Sequence, residues 1–329
     1  MIPAVVRRWL ARAAPALLVG AGQLAGCGTA DPVPPAWKGG VLTVGTGNTT
    51  GVFYQVGGGY ADAISTHLSG YEALVAPTAG SADNLLRLAT GDVDVALTFA
   101  DVAADAVRGA GVFAAAAPPI RGIAAIYRNY THLIVRADAD IQTVGDLRGK
   151  RVSTGTPNSG TEFLALRLLR AAGLDPERDI VREKLSLTAT TRGLKDGTLD
   201  ATFWIGGVPT VGVTELFGEA PKGSVRFLPV DGLLPALERE YPGTYVKGTI
   251  PAAAYKLPAD VPTVAVSNLI VVDQDMPDQL AYDLTALIFR HRAELAAAHP
   301  EWGTVEPDTA AQTTPVPLHD GAQRYYHSG

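Results

Sequence analysis

Two patterns occur twice in this sequence, in the same order, and they constrain the fold more than any other feature. Val-x-Thr-Gly stands at residues 44–47 and again at 152–155, each time between a short apolar run and a helical stretch. Leu-x-x-Gly-x-x-Asp, followed three positions later by Leu or Phe, stands at 88–97 and 194–203. The two patterns begin 44 residues apart in the first copy and 42 apart in the second. They predict two similar units in which a helix ends at a left-handed glycine cap before a buried strand.

Strands that alternate with helices predict an α/β fold with a mainly parallel sheet in each unit. Ligands of such sheets bind in the loops at the carboxyl ends of the strands. We therefore expect two lobes whose loops face each other across one ligand cleft. Lobe one is assigned to residues 41–130 together with 250–329, and lobe two to residues 131–249.

The N-terminus resembles an export signal. Three arginines within residues 7–12 precede an apolar stretch too short to span a membrane, and Leu-Ala-Gly-Cys follows at residues 24–27. We interpret residues 1–26 as a lipoprotein signal peptide, Cys27 as the lipidated residue and residues 27–40, rich in Pro and Gly, as a tether. The alternative is an ordinary secretory signal with an incidental cysteine. Since Cys27 is the only cysteine, no disulfide is expected. The predicted location is the outer face of the cell membrane or the periplasm.

Composition narrows the choice of partners. The chain is 47% apolar and 18% charged, with a formal net charge of −6. That composition supports a packed core, and an acidic surface without basic clusters argues against nucleic-acid binding.

The glycine- and threonine-rich loops before the predicted helices expose backbone N–H groups. With the positive end of a helix dipole, such groups form an anion site without Lys or Arg. Ordinary turn chemistry is the alternative for each loop taken alone. Ser159 also begins a capping box with Glu162, and Ser81 is either a helix cap or a ligand donor. The candidate ligand-binding residues are Thr46, Gly47, Asn48, Thr49, Tyr54, Ser81, Thr98, Asp101, Thr154, Thr156, Ser159, Gly160, Thr161, Trp204, Gly207 and Pro209.

The sequence lacks the residue types that common enzyme motifs require. The Walker-like spacing at 155–162 has Thr161-Glu162 where Lys-Ser/Thr is required. The six histidines show no metal-ligand spacing. We therefore predict no catalytic residues, no metal and no cofactor. A hydrolase with two distant carboxylates remains open, because such a pair needs no local motif.

Several separated segments together resemble the TAXI family, the TRAP-associated extracytoplasmic solute receptors, over residues 41–327. The segments include Val44–Gly47, Ser81–Leu85, Leu147–Val152, Ser159–Glu162, Leu194–Gly197, Gly207–Thr210, Tyr245–Lys247, Pro262–Val266, Ala297–Pro300 and Pro317–His319. The resemblance implies a type II periplasmic-binding-protein-like fold. It also implies delivery of glutamate, glutamine or a related dicarboxylate or 2-oxo acid to a TRAP-type permease.

Two departures from the family pattern concern Asp320 and the pair Phe203-Trp204. The second pair lies in the expected cleft, so the identity of the solute stays open. The alternative function is an exported lipoprotein that uses the same fold as a ligand sensor or a surface interaction protein.

Overall fold

The computed structural model describes residues 36–328. The predicted signal peptide, Cys27 and residues 27–35 of the predicted tether lie outside the described residues, so lipidation stays a prediction. The last residues of that tether pack on the fold: Trp37 contacts the core, and Lys38 Nζ lies 2.6 Å from an Asp94 carboxylate oxygen. Within the described residues, none of the helices has the length and apolar character needed to cross a membrane.

Ten strands within residues 36–328 form one mixed sheet. They are β1 (Val41–Gly45), β2 (Glu72–Ala76), β3 (Val95–Phe99), β4 (Ile120–Arg136), β5 (Arg151–Ser153), β6 (Val181–Glu183), β7 (Ala201–Gly206), β8 (Val225–Phe227), β9 (Tyr245–Ile250) and β10 (Val261–Asp273).

In the described part of the chain, twelve α-helices surround the sheet. They are α1 (Val52–His67), α2 (Ser81–Thr90), α3 (Ala100–Arg108), α4 (Gly160–Ala171), α5 (Leu187–Asp196), α6 (Val211–Glu219), α7 (Leu234–Glu240), α8 (Ala252–Tyr255), α9 (Asp278–Arg290), α10 (Arg292–Ala298), α11 (Pro307–Ala310) and α12 (Asp320–Ser328). The sequence pattern predicts one helix over 278–298, but His291 leaves helical geometry at φ −115° and ψ 23°, and α10 turns onto α1.

The sheet contains the same strand arrangement twice. In the first half the order is β2-β1-β3-β10-β4, with β1 parallel to β2 and β3 and with β10 antiparallel. In the second half it is β6-β5-β7-β4-β8, with β5 parallel to β6 and β7 and with β4 antiparallel. The repeated sequence patterns fall on equivalent elements: α2 ends at Gly91 with φ 78° and α5 at Gly197 with φ 73°. The α/β architecture predicted from the sequence is thereby confirmed.

Two long strands run through both halves. β4 pairs with the first half of the sheet through residues 120–125 and with the second through residues 130–136. β10 likewise pairs with β3 through residues 268–272 and with β9 through residues 261–266. The predicted lobe boundary at residue 130 falls inside continuous β4, so the halves are joined by unbroken strands. The lobe limits remain a prediction.

A buried ion network links a helix of each half. Arg167 on α4 is bonded to the carboxylates of Asp101 and Asp105 on α3. Tyr245 donates its hydroxyl to Asp101 over 2.8 Å, and the ring of Tyr241 lies 4.1 Å from the Arg167 guanidinium. Because the charges are paired and hydrogen-bonded, their burial is tolerated.

Candidate functional site

A cavity of about 40 Å³ lies between the two halves, where three helices begin. Helices α1 and α2 come from the first half and α4 from the second, and the ends of β3 and β7 complete the wall. Its volume is far below the ~300 Å³ at which drug-sized sites begin, so it suits a small molecule. The lining residues are Gly47, Asn48, Gly51, Val52, Phe53, Ala79, Gly80, Ser81, Phe99, Asn129, Gly155, Thr156, Ser159, Gly160, Thr161, Leu185, Trp204, Ile205 and Gly206.

Backbone donors at two of these helix starts face the cavity without a protein partner. No hydrogen bond among the described residues uses the N–H groups of Val52 and Phe53 on α1, or of Gly160 and Thr161 on α4. The first turn of a helix leaves such groups unsatisfied within the helix, and the dipole adds partial positive charge there. The two helix ends together therefore favour an anion between them.

The third helix start is used differently. The N–H groups of Ala82 and Asp83 on α2 donate to the carbonyl oxygen of Asn158 over 3.0 and 3.2 Å. Asn158 belongs to the other half of the sheet and has a left-handed backbone with φ 62°. Asn tolerates that region better than most residues. The loop before α4 thus caps α2 across the cavity.

Hydroxyl and amide groups add a second set of polar atoms. The Ser159 hydroxyl accepts the Glu162 N–H over 3.0 Å and caps α4, as the capping-box pattern predicts. The Ser81 hydroxyl makes no cap on its own helix, but accepts the Phe99 N–H over 3.0 Å. Its proton is left available to a ligand. The Asn48 amide makes no hydrogen bond within the described residues and lines the cavity. These groups suit recognition of carboxylate or carbonyl oxygens.

No Lys, Arg, His, Asp, Glu or Cys side chain lines the cavity in the part of the chain described. Arg182 reaches the loop below it, where Nε donates to the Thr154 hydroxyl over 3.1 Å, but its guanidinium is paired with the Glu162 and Glu177 carboxylates. Charge recognition in the cavity therefore depends on backbone dipoles. Among the described residues, the lining therefore also lacks the His, Cys and carboxylate side chains that hold zinc-class metal ions.

Aromatic rings form the apolar part of the wall. The rings of Phe53 and Phe99 meet edge-to-face with centroids 5.5 Å apart. The Trp204 indole donates to the Thr210 hydroxyl over 3.1 Å, which fixes its ring beside Gly51. Apolar rings at the wall lower the local dielectric constant, which strengthens polar interactions within the cavity.

The two halves touch closely above the cavity. A Cβ atom added to Gly160 would lie 2.4 Å from the Phe99 ring and 2.6 Å from the Ser81 hydroxyl. The Thr156 hydroxyl donates to the Ala79 carbonyl over 3.4 Å. The structure is consequently a closed arrangement, in which glycine is required at 160 for the two helix starts to approach.

Eight of the sixteen predicted ligand-binding residues line this cavity. They are Gly47, Asn48, Ser81, Thr156, Ser159, Gly160, Thr161 and Trp204. The structure brings them together from both repeats, which are more than 100 residues apart in the sequence.

The other eight lie outside the lining. The hydroxyls of Thr46, Thr98 and Thr154 are buried and bonded to neighbouring backbone carbonyls. Thr49 is exposed and Tyr54 half-buried. Gly207 packs near Val52 and Tyr127, and Pro209 follows a cis peptide bond. Asp101 lies in the ion network with Arg167, because it is the second residue of α3 and faces α4 rather than the cavity.

Sequence reasoning missed the polar residues on the two long strands. Asn129 on β4 lines the cavity and donates its amide to Asn268 on β10. The Asn268 amide nitrogen is buried without a partner among the described residues. For Asn268 a signal was available, because Ser267-Asn268 interrupts the apolar run of residues 264–272 and a buried polar group needs a reason. Asn129 stands among other polar residues, so nothing in the sequence distinguishes it.

The repeated half-sheets, the two continuous strands and the interposed cavity define the class: this is the type II periplasmic-binding-protein-like fold. A family model matches residues 44–328, well over half of the chain. The protein belongs to the NMT1-like family.

Solved structures with the same fold differ widely in sequence. The binding-protein component of an ABC phosphonate transporter from Pseudomonas aeruginosa has a TM-score of 0.53 at 13% identity, over 79% of this chain and 78% of that one. XAC2383 from Xanthomonas citri, solved with ATP, has a TM-score of 0.53 at 13% identity, over 88% and 98%. The alkanesulfonate-binding protein SsuA from Xanthomonas axonopodis pv. citri has 0.47 at 16% identity, over 88% and 83%. At such identities the likeness to the two structures with TM-scores of 0.53 concerns the fold alone.

Proposed function

We propose that this protein is an extracytoplasmic solute receptor, not an enzyme, and that it encloses a small organic anion and delivers it to a membrane permease. The observation that carries the proposal is the pair of unsatisfied helix N-termini, α1 and α4, that meet at one closed cavity from opposite halves of the molecule. A ligand bound by both would favour the closed arrangement, since its affinity for that state is the higher one.

The lining narrows the chemistry of the anion. Backbone N–H groups and the side chains of Asn48 and Ser81 suit carboxylate and carbonyl oxygens, whereas no carboxylate is present to pair with an ammonium group. Of the acids that the TAXI resemblance implies, the cavity therefore favours 2-oxo acids and small carboxylates over glutamate. An amino acid bound in this cavity would leave its ammonium group buried and unpaired, which is strongly unfavourable.

The transport partner that we propose is a TRAP-type permease driven by an ion gradient, and the anchor is a lipid on Cys27. The permease rests on the TAXI resemblance, and the anchor rests on the signal-peptide pattern that ends at Cys27. Reconstituted uptake with a TRAP permease should stop when an ionophore collapses the gradient. Uptake that requires ATP and is unaffected by the ionophore would assign the protein to an ABC-type system instead.

A thermal-shift screen of ligand-stripped protein tests the binding role directly. The probes are 2-oxoglutarate, pyruvate, succinate, glutamate, glutamine and methylphosphonate. A ligand at 100 times its Kd adds about 2.7 kcal/mol to the free energy of unfolding, a shift of several degrees. We expect the 2-oxo acids to give the largest shift and the amino acids little.

Two neighbouring substitutions supply the matched control. Asn48→Ala removes an amide that lines the cavity, whereas Thr49→Ala alters an exposed side chain beside it. Hydrogen bonds to charged groups contribute about 1.5–3 kcal/mol, so Asn48→Ala should weaken binding about tenfold or more, and Thr49→Ala should not. Equal shifts for glutamate and 2-oxoglutarate would refute the ammonium argument alone. If none of the acids raises the melting temperature, the proposal that this protein is a receptor for small carboxylates is refuted.

A further inference from the structure

Three metal-ligating side chains meet on the surface far from the cavity. His67 Nε2 lies 2.7 Å from Glu294 Oε2, and His291 Nδ1 lies 3.7 Å from the same oxygen. The two imidazole rings stack with centroids 3.6 Å apart. All three ligand atoms lie within 4.8 Å of one another.

The backbone brings these side chains together through one close helix contact. A Cβ atom added to Gly59 would lie 2.6 Å from Ala298 Cβ, so α1 and α10 approach most closely there. The helices run antiparallel from that contact, and two turns further along α1 His67 faces Glu294 and His291. Because His67 and Glu294 are 227 residues apart in the sequence, no local spacing reveals the cluster.

The electrostatic setting favours a cation. His67 is the last residue of α1 and His291 is the C-terminal cap of α9. The carbonyl ends of both helices therefore carry partial negative charge next to the cluster. His291 also caps the N-terminus of the short helix α10, which carries the opposite partial charge, and the full negative charge of Glu294 outweighs it. The two rings lie only 15° from parallel, so their nitrogen lone pairs reach a shared point beside the Glu294 carboxylate once one ring turns about its Cβ–Cγ bond.

We propose that His67, His291 and Glu294 bind one divalent transition-metal ion of the zinc class. Zinc accepts two imidazoles and a carboxylate at about 2.0–2.2 Å, which in tetrahedral geometry separates the ligand atoms by about 3.4 Å. The two observed distances, 2.7 and 3.7 Å, lie on either side of that value. All three side chains are partly exposed, so rotation of each side chain suffices, and water completes the coordination.

The position of the site defines what the ion does. Val52 lines the cavity, and His67 ends the same helix about 22 Å further along its axis. The ion cannot touch a ligand in the cavity. It joins α1 to the α9–α10 junction, and so stabilises the folded protein without contributing to the ligand pocket.

Competition with a chromophoric chelator tests the proposal on tag-free, metal-stripped protein. We expect one equivalent of Zn²⁺ to bind and to raise the melting temperature. Each of His67→Ala, His291→Ala and Glu294→Gln should lower the affinity for Zn²⁺ at least about tenfold, because each removes one of three protein ligands. His327→Ala, an exposed histidine on α12, should leave the affinity unchanged.

Cobalt substitution supplies a readout that a merely structural role would not move. Co²⁺ bound by two imidazoles and a carboxylate should show the intense visible bands of four-coordinate cobalt, and these should vanish in His67→Ala while circular dichroism confirms folding. Failure to retain Zn²⁺ would overturn the proposal. Zn²⁺ binding that survives all three substitutions would also overturn it, since the ion would then sit at another group such as the Cys27 thiol.

Discussion

The ion network centred on Arg167 makes a sharp prediction about stability. Arg167 is 5% exposed and Asp101 0% exposed, and the guanidinium also contacts Asp105. Arg167→Met keeps an unbranched side chain against Tyr241 but leaves the buried Asp101 carboxylate without a cation, whereas Asp105 keeps its pair with Arg108. Breaking a buried pair in this way costs about 3–5 kcal/mol, a large part of the ~5–15 kcal/mol that stabilises a typical protein.

The size of this loss should depend on pH. Burial raises the pKa of Asp101, and the Arg167 charge opposes that rise. Without Arg167 the pKa of Asp101 in the folded state rises further above its unfolded value of about 4. When the acid is protonated in both the folded and the unfolded protein, its raised pKa does not lower the free energy of unfolding. That free energy falls as pH increases from the unfolded pKa to the folded pKa. The destabilisation should therefore be small near pH 4 and full near pH 8.

Urea denaturation at pH 4 and pH 8 measures both effects. The control is Arg178→Met, which breaks the pair with Asp175 at a side chain that is 85% exposed. It should change the free energy of unfolding by no more than about 0.5 kcal/mol. A loss below about 1 kcal/mol for Arg167→Met at pH 8, or a loss that is the same at both pH values, would refute the reasoning.

Two further substitutions address the cavity and a buried acid. Gly160→Ala places a methyl group against Phe99 and Ser81, and overpacking costs about 1–3 kcal/mol, so calorimetry should show the best acid of the thermal-shift screen bound about tenfold more weakly. Gly58→Ala, which meets nothing within 4 Å, is the control, and equal affinities for the two variants would contradict the closed-state argument. Burial raises the pKa of Glu301 to about 7, so the stability that this group contributes below pH 4.5 is lost as pH rises to 7. Glu301→Gln should remove that pH dependence and be more stable at pH 8 by on the order of 2 kcal/mol in urea denaturation, and an unchanged pH profile would show that the carboxyl is solvated.

The fold could be predicted because local signals recur. Gly91 and Gly197 mark helix ends in both repeats, and the apolar runs around them mark strands. The Val-x-Thr-Gly loops likewise identify the carboxyl ends of β1 and β5, where the cavity lies. What these patterns do not encode is the order in which β4 and β10 enter the sheet, since that depends on pairing between distant residues.

Eight of the nineteen residues that line the cavity could be predicted for the same reason. Residues such as Asn48 and Gly160 lie in or next to loops whose sequence predicts the start of a helix. The analogy between the repeats predicts that Asp101 contacts the ligand. A charged residue in the first turn of a helix can equally form a buried ion pair. The structure shows the ion pair, and its partner Arg167 lies 66 residues away in the sequence, so no local pattern could predict it. Asn129 was missed because a single polar residue within a strand carries no information about which face it occupies.

The placement of β10 has a consequence for how the chain acquires its structure. This strand lies between β3 and β4, yet it is made of residues 261–273. During synthesis, the first 250 residues therefore contain no strand able to close the first half of the sheet. Such long-range pairing slows folding, since a large loop must close before the contacts that stabilise it can form. A chain that cannot complete its core until it is nearly finished does not reach its folded state during most of its synthesis, and export of an unfolded chain across a membrane, as the signal peptide predicts, would exploit that interval.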